Sequence, residues 1–170
     1  TTSEGVRGQK AVDWRLVDAV AKPQQFDAFV AERAARLAEQ SDRPAGAKGV
    51  QLPKVERSES ADGIAYQYVS VDIDRAKRVA TVVVKAPSGA QPTDVAGIEA
   101  AGAAWYPLQM ARELDDAILH MRTNELEVGT WVLKTEGDAA AVLANDTLML
   151  ANQGHWFVRE TLGMLRRTLA

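Results

Sequence analysis

Two apolar, β-branched runs separated by a short polar turn restrict the fold of this chain more than any other pattern. Val69, Val71 and Ile73 alternate with polar neighbours, which is typical of a strand with one buried face. Residues 74–77 provide a turn, and the sequence VATVVVK at 79–85 predicts a return strand. The pair predicts a hairpin, so any fold assigned to the chain must contain a sheet.

After the predicted hairpin, helical and strand patterns alternate along the chain, which favours an α/β fold. The main helix is predicted over 108–122, where Leu114, Ile118 and Met121 share one face. The apolar sequence VGTWVLKT at 128–135 predicts a short buried strand. Other helices are predicted near 93–104 with Thr93 as the cap and a break before Pro107, over 138–151, and after Gly154.

The first forty residues have the pattern expected at the end of an α/β domain. A short helix capped by Ser3 is predicted to reach Trp14, followed by a strand over 16–20 and a helix over 24–39. Because this ending precedes the hairpin, the order indicates a seam between two related domains. The predicted divisions are the end of one unit at 1–40, a Pro- and Gly-punctuated linker at 41–63 and the start of a second unit at 64–170.

Composition excludes several classes of function. The net charge is −3, so no clustered basic surface indicates nucleic-acid binding. There is no cysteine, which rules out disulfides and thiol nucleophiles, gives no support to a metal site, and fits a reducing, cytoplasmic setting. No apolar run approaches the ~20 residues that span a bilayer, so no membrane partner is expected.

Glu136, Gly137 and Asp138 form the main candidate binding site, because they follow a strand where α/β proteins gather ligands. The alternative is that Asp138 simply caps the next helix. Glu113, Asp115 and Asp116 could form a carboxylate site, but neighbouring helical residues point apart, which favours a solvated helix face.

Other side chains have structural interpretations that outweigh the catalytic ones. His120 is predicted near a helix end, where a charged imidazole would favour the dipole. His155 is the other histidine, and neither has a paired carboxylate at helical spacing. The glycines of 97–102 favour loose helix packing over phosphate binding, and Lys85 is expected to be solvated. Trp105, Trp131 and Trp156 are expected to be core or interface anchors.

Separated stretches of the chain resemble the crotonase (enoyl-CoA hydratase/isomerase) superfamily. Residues 8–20, GQKAVDWRLVDAV, resemble its late motif, with Arg15 in place of the usual glycine. Residues 68–87, 111–118 and 131–137 resemble its first hairpin, the following helix and the next parallel strand. The resemblance to the middle of the superfamily's long ring-cleaving enzymes covers the whole chain, through residues 4–9, 100–105, 122–126, 129–138 and 155–161.

This resemblance implies a crotonase-like segment that joins the end of one unit to the beginning of another. Such enzymes stabilise an enolate with two backbone N–H donors. The sequence GDAAA at 137–141 departs from the family's Gly-Ala-Asp turn, and the other donor and the acid–base carboxylates are expected outside the chain. No catalytic residue is therefore assigned. The implied partners are an aryl- or acyl-CoA substrate, with no separate cofactor, the remainder of its own units, and further copies in a homo-oligomer.

Three functions remain open at this point. The resemblance implies a segment of a lyase that cleaves the ring of a dihydrodiol- or epoxide-derived benzoyl-CoA and releases formate and a semialdehyde CoA ester. The alternative is a non-catalytic scaffold or oligomerisation region. An independent acyl-CoA binding module is the least favoured, because it needs a complete phosphate and thioester site within 170 residues.

Overall fold

A computed structural model describes residues 5–42 and 46–170, which fall into two compact units divided between residues 48 and 49. In the first unit, α1 spans Gln9–Asp13, and a 3-10 turn at Pro23–Gln25 leads into α2 at Phe26–Glu39. Pro23 suits this first turn because its φ is already helical and its missing N–H has no helical partner. The predicted cap Ser3 lies outside the described residues.

The predicted strand at 16–20 is wrong. Leu16, Val17 and Val20 are exposed, and the segment forms no strand pairing within the described residues. Arg15 has a φ of 56°, so it adopts the left-handed conformation in which the Leu16 N–H bonds the Ala11 carbonyl at 2.9 Å. The tight turn is therefore made by an arginine where the resembled family has a glycine, although this conformation disfavours a residue with a Cβ.

The predicted helix over 24–39 is confirmed, but its apolar stripe is not buried in this unit. Phe26, Val30 and Leu37 are 55%, 46% and 59% exposed. Arg33 approaches Asp18 at 3.8 Å across a solvated surface. Helix α2 buries no residue, so its amphipathic pattern is present without a core beneath it.

The second unit is built on one five-stranded sheet in which strands that are consecutive in the sequence lie side by side. The hairpin prediction is confirmed, since Val69 pairs with Val84 and Asp74 with Val79 in antiparallel register. The final pairing is parallel, joining Val79 to Thr130. The strand order is β1-β2-β3-β4-β5, with bounds Ser58–Ser60, Gly63–Ala65, Val69–Asp74, Val79–Lys85 and Thr130–Glu136.

The helices of this unit lie between and after the last two strands. The break before the main helix is confirmed as a 3-10 turn at 102–104, and Pro107 sits in the first turn of that helix. The predicted cap Thr93 is wrong, because Asp94 occupies the cap position and its Oδ1 accepts the Gly97 N–H at 2.7 Å. The bounds are Val95–Ala101 for α3, Tyr106–Asn124 for α4, Ala139–Ala151 for α5 and Trp156–Thr168 for α6.

Two apolar clusters hold the second unit together. In the first, Leu114 and Met121 of α4 pack on Val71 and Val82 of the hairpin, which confirms the predicted helix stripe. The second joins α3, α4, α5 and α6 and includes the buried Trp105. Its members are Ile98, Trp105, Leu108, Met149, Phe157 and Val158.

Two features differ from a simple sequence interpretation. Strand β5 was predicted to be buried, but all seven of its residues are exposed. Within the range 41–63, β1 already belongs to the sheet and Val55 packs against the first cluster. The division into 1–40, 41–63 and 64–170 stays a prediction.

No helix in the described ranges has the length and apolar character that a bilayer crossing requires.

Candidate functional site

The ends of the two parallel strands place the candidate residues 136–138 at one edge of the sheet. Glu136 ends β5 opposite Lys85, which ends β4. The Glu136 carbonyl accepts the Ala86 N–H at 2.8 Å, which extends the pairing beyond the strands. Residues 136–138 are exposed, so the side chains of Glu136 and Asp138 are accessible to a ligand at this edge.

Gly137 fits its position because of both its conformation and its neighbours. Its φ is 104°, in the region that favours glycine. A Cβ built there would lie 2.8 Å from the Ala86 Cβ and 3.3 Å from its nitrogen. The turn after β5 therefore packs against the turn after β4, and no side chain larger than hydrogen fits.

Asp138 caps helix α5. Its Oδ1 accepts the Ala140 N–H at 2.8 Å, which satisfies one of the helix's free N-terminal donors. The capping interpretation is thus confirmed. Contact of residues 136–138 with a ligand stays a prediction, and the Asp138 carboxylate is already engaged by its own helix.

Glu113 is not on a solvated helix face, as its sequence neighbourhood suggested, but is only 2% exposed. Its Oε2 accepts the N–H groups of Tyr68 and Val69 at 2.7 and 3.2 Å. Its Oε1 accepts a 3.0 Å bond from Gln109 Nε2, which also donates to Gln67. The carboxyl group thereby fixes the chain entering β3 to helix α4, and its acceptors are occupied.

Asp116 is half-buried in a second polar group, so the solvated-face interpretation is wrong for it too. Its Oδ2 accepts bonds of 2.5 Å from Arg57 and 2.8 Å from the Tyr66 hydroxyl. Burial works to raise the pKa of Asp116, but the bonds from Arg57 and Tyr66 outweigh it and hold that pKa below its ordinary value. Burial, with the bond to Asp116, raises the pKa of Tyr66. This arrangement is an ion pair without a free base.

A cleft of about 340 Å³ lies between residues 53–56 and the first turns of α4. Lys54 and Arg112 contribute positive charge to it, while Glu56 and Glu113 contribute negative charge. The Arg112 guanidinium donates to the Pro53 carbonyl, which holds the wall of the cleft together. With both signs of charge present, the cleft does not favour an anionic over a cationic ligand.

The two histidines lie in different parts of the unit. His120 is half-buried, one turn before Asn124 ends α4, near the position predicted for it. His155 precedes α6, and its Nε2 lies 3.3 Å from Glu99 Oε1. Its Nδ1 is buried without a hydrogen bond. Neither histidine forms a nucleophile–base pair in the described part of the chain.

The remaining candidates have structural surroundings. Lys85 is exposed, as predicted, and a Cβ on Gly97 would lie 3.1 Å from the Pro92 Cβ. Trp105 is buried, whereas Trp131 and Trp156 are 39% and 37% exposed. Across residues 5–42 and 46–170, no group of three or more His, Asp or Glu side chains could hold a metal ion.

The partners of the Glu113 and Asp116 carboxyl groups were not predicted from the sequence. Arg57 and Tyr66 lie 59 and 50 positions from Asp116, and Tyr68 lies 45 from Glu113. Such distant pairs leave no local pattern, so no spacing rule could have found them. The one local signal was the i, i+4 spacing of Gln109 and Glu113 on a predicted helix.

Comparison with known proteins gives one strong similarity. The chain is 58% identical over all 170 residues to benzoyl-CoA-dihydrodiol lyase of Aromatoleum evansii. The aligned region covers 100% of the chain but spans only 31% of the length of that relative. No protein-family profile matches the chain.

Proposed function

We propose that the chain is a segment of a CoA-thioester lyase of the benzoyl-CoA-dihydrodiol lyase type. The observation that carries this proposal is the 58% identity that runs through all 170 residues. Identity at that level over every element supports a common structure for the matched region. The reaction would be hydrolytic cleavage of the ring of a dihydrodiol- or epoxide-derived benzoyl-CoA, in which water is consumed and formate and a semialdehyde CoA ester are released.

The proposed setting is a crotonase-like protein, with this chain joining the end of one unit to the start of another. The sheet with a hairpin, a crossover through α3 and α4 and a parallel strand β5 supports this proposal. CoA would enter as part of the substrate, without a separate cofactor. The protein is proposed to act in the cytoplasm as a homodimer.

Residues 136–138 are the proposed contribution of this segment to substrate binding. Their exposure at the carboxyl ends of two parallel strands supports the assignment. The catalytic acid and base would come from other parts of the polypeptide, because Glu113 and Asp116 already accept hydrogen bonds from neighbouring groups.

The second candidate is a scaffold whose own binding site has been lost. It is favoured by the engagement of Asp138 with Ala140 and by the close packing of Gly137 on Ala86. Under this proposal the segment supports a site built elsewhere in the polypeptide.

The full-length polypeptide tests the proposal through formate release from the benzoyl-CoA dihydrodiol. Formation of formate and the semialdehyde ester is expected, and their absence with correctly folded protein would reject the lyase assignment. Glu136→Gln and Asp138→Asn then separate the candidates. A several-fold rise in KM favours substrate contact, whereas unchanged kinetics favour the scaffold. Glu127→Gln, which removes an exposed carboxylate elsewhere, is the matched control.

A further inference from the structure

The hairpin formed by β3 and β4 ends in an incomplete pair. Its register, continued one step past Val69 and Val84, sets Tyr68 opposite Lys85. The Lys85 N–H donates to the Tyr68 carbonyl at 2.8 Å, which is one of the two bonds that such a pair can exchange. The Tyr68 N–H does not return the second bond, because it donates to Glu113 Oε2 at 2.7 Å. The Lys85 carbonyl is therefore left without the donor that the hairpin would give it.

Helix α4 supplies the missing donor. The hydroxyl of Tyr106, the first residue of α4, donates to the Lys85 carbonyl at 3.1 Å. Tyr106 is only 5% exposed, and its ring meets the Tyr68 ring edge-on with centroids 4.9 Å apart, which holds the hydroxyl in place. Burial raises the pKa of Tyr106, so the hydroxyl stays protonated and able to donate at neutral pH. Two side chains of one helix, Tyr106 and Glu113, thus replace the last bond between the strands.

The end of β4 in turn supports the turn that follows β5. The Ala86 N–H donates to the Glu136 carbonyl at 2.8 Å, and a Cβ built on Gly137 would lie 2.8 Å from the Ala86 Cβ. The Lys85 carbonyl and the Ala86 N–H belong to one planar peptide group. Tyr106 is therefore bonded to one side of this peptide group and Glu136 to the other.

We infer that Tyr106 is a positioning residue for the substrate-binding edge at 136–138, an inference that rests on the proposed function. Because Tyr106 is nearly fully buried, it acts through the peptide group between residues 85 and 86 rather than by touching substrate. Without the hydroxyl this peptide group is free to tilt, and the backbone of residues 136 and 137 loses its fixed position. Loss of binding contacts that the ground state and the transition state share raises KM and leaves kcat unchanged.

The kinetics of Tyr106→Phe in the full-length polypeptide test the inference. The variant keeps the packed ring and removes only the hydroxyl. Tyr66→Phe is the matched control, because Tyr66 is 8% exposed and its hydroxyl donates to Asp116, away from the edge at 136–138. We expect KM for the benzoyl-CoA dihydrodiol to rise about fivefold in Tyr106→Phe, with kcat changed by less than about twofold. Both constants should change by less than about twofold in Tyr66→Phe.

Hydrogen exchange of the Ala86 amide follows the same peptide group without substrate. Relative to the other β4 amides, it should exchange about fivefold faster in Tyr106→Phe and at an unchanged rate in Tyr66→Phe. An unchanged KM in an active Tyr106→Phe polypeptide, or an equal rise in both variants, would overturn the inference. If the unmodified polypeptide releases no formate, the proposed function is rejected. The exchange rate then decides the positioning role alone, since faster exchange in Tyr106→Phe supports it and unchanged exchange overturns it.

Discussion

Removal of the Glu113 carboxyl group should destabilise the chain far more than removal of any exposed carboxylate. Glu113→Ala leaves the N–H groups of Tyr68 and Val69 without their acceptor at the start of β3. Val69 is fully buried, so its N–H cannot exchange the lost bond for water, whereas Tyr68 is only partly covered. A buried unsatisfied donor costs about 1–3 kcal/mol.

The expected loss in the free energy of unfolding is therefore about 2–4 kcal/mol for Glu113→Ala, because the Val69 N–H stays buried without an acceptor and the Tyr68 N–H is only partly open to water. Glu113→Gln retains a carbonyl oxygen for the two N–H groups but brings its amide against the Gln109 amide, which donates to Glu113 Oε1. Its expected loss is smaller, about 1–2 kcal/mol, because the bonds survive without the charge.

Urea unfolding of the chain, followed by circular dichroism, measures these differences when the slope with urea is unchanged. Glu127→Ala and Glu127→Gln remove an exposed carboxylate and should change the free energy by less than about 0.5 kcal/mol. A Glu113→Ala variant as stable as its Glu127 control, or equal destabilisation of the Ala and Gln variants at position 113, would contradict a role for Glu113 as a buried acceptor.

Three further changes test other contacts. Asp116→Asn should lower the free energy of unfolding by about 1 kcal/mol near pH 7. Because folding lowers the pKa of Asp116, this loss should persist above the ordinary pKa of 3.8 and shrink as the pH falls below it. A loss that is independent of pH in urea titrations would contradict the ion pair. Gly137→Ala should lower the free energy of unfolding by about 1–3 kcal/mol, because of the backbone conformation at this position and a clash with Ala86. Gly129 has neither a positive φ nor a close contact, so Gly129→Ala should lower it less. Equal shifts in melting temperature would contradict the close packing of Gly137 on Ala86. Asp138→Ala should cost about 1 kcal/mol by uncapping α5, while Asp138→Asn should retain most of the stability; identical melting of the two variants would show that the cap contributes nothing.

The hairpin and the helices follow from local sequence rules, which explains why they could be predicted. Val69, Val71 and Ile73 need only alternate to identify a half-buried strand, and β3 buries those three residues. Helix α4 likewise appears where the spacing of Leu114 and Met121 indicates it. These features depend on neighbours within a few residues.

The predictions that were wrong concern segments whose burial depends on residues far away in the sequence. The residues of 16–20 and 130–136 have apolar patterns, but burial also needs another layer, and a pattern alone cannot say where that layer lies. The predicted cap, Thr93, lies one residue before the observed cap, Asp94, and helix boundaries are usually uncertain by one or two residues. Of the candidate site, the sequence predicted the capping role of Asp138 but not the enclosure of Glu113.

The parallel pairing of β5 also sets an order for folding. Val79 and Asp74 meet across a tight turn, whereas Val79 and Thr130 meet only after the whole segment containing α3 and α4 has been traversed. Closing the longer loop carries the larger entropic cost, so the hairpin has the earlier contacts and β5 the later ones. A nascent chain would thus form the hairpin before residues 130–136 pair with β4, and the apolar segment around Trp131 would stay unpaired in that interval.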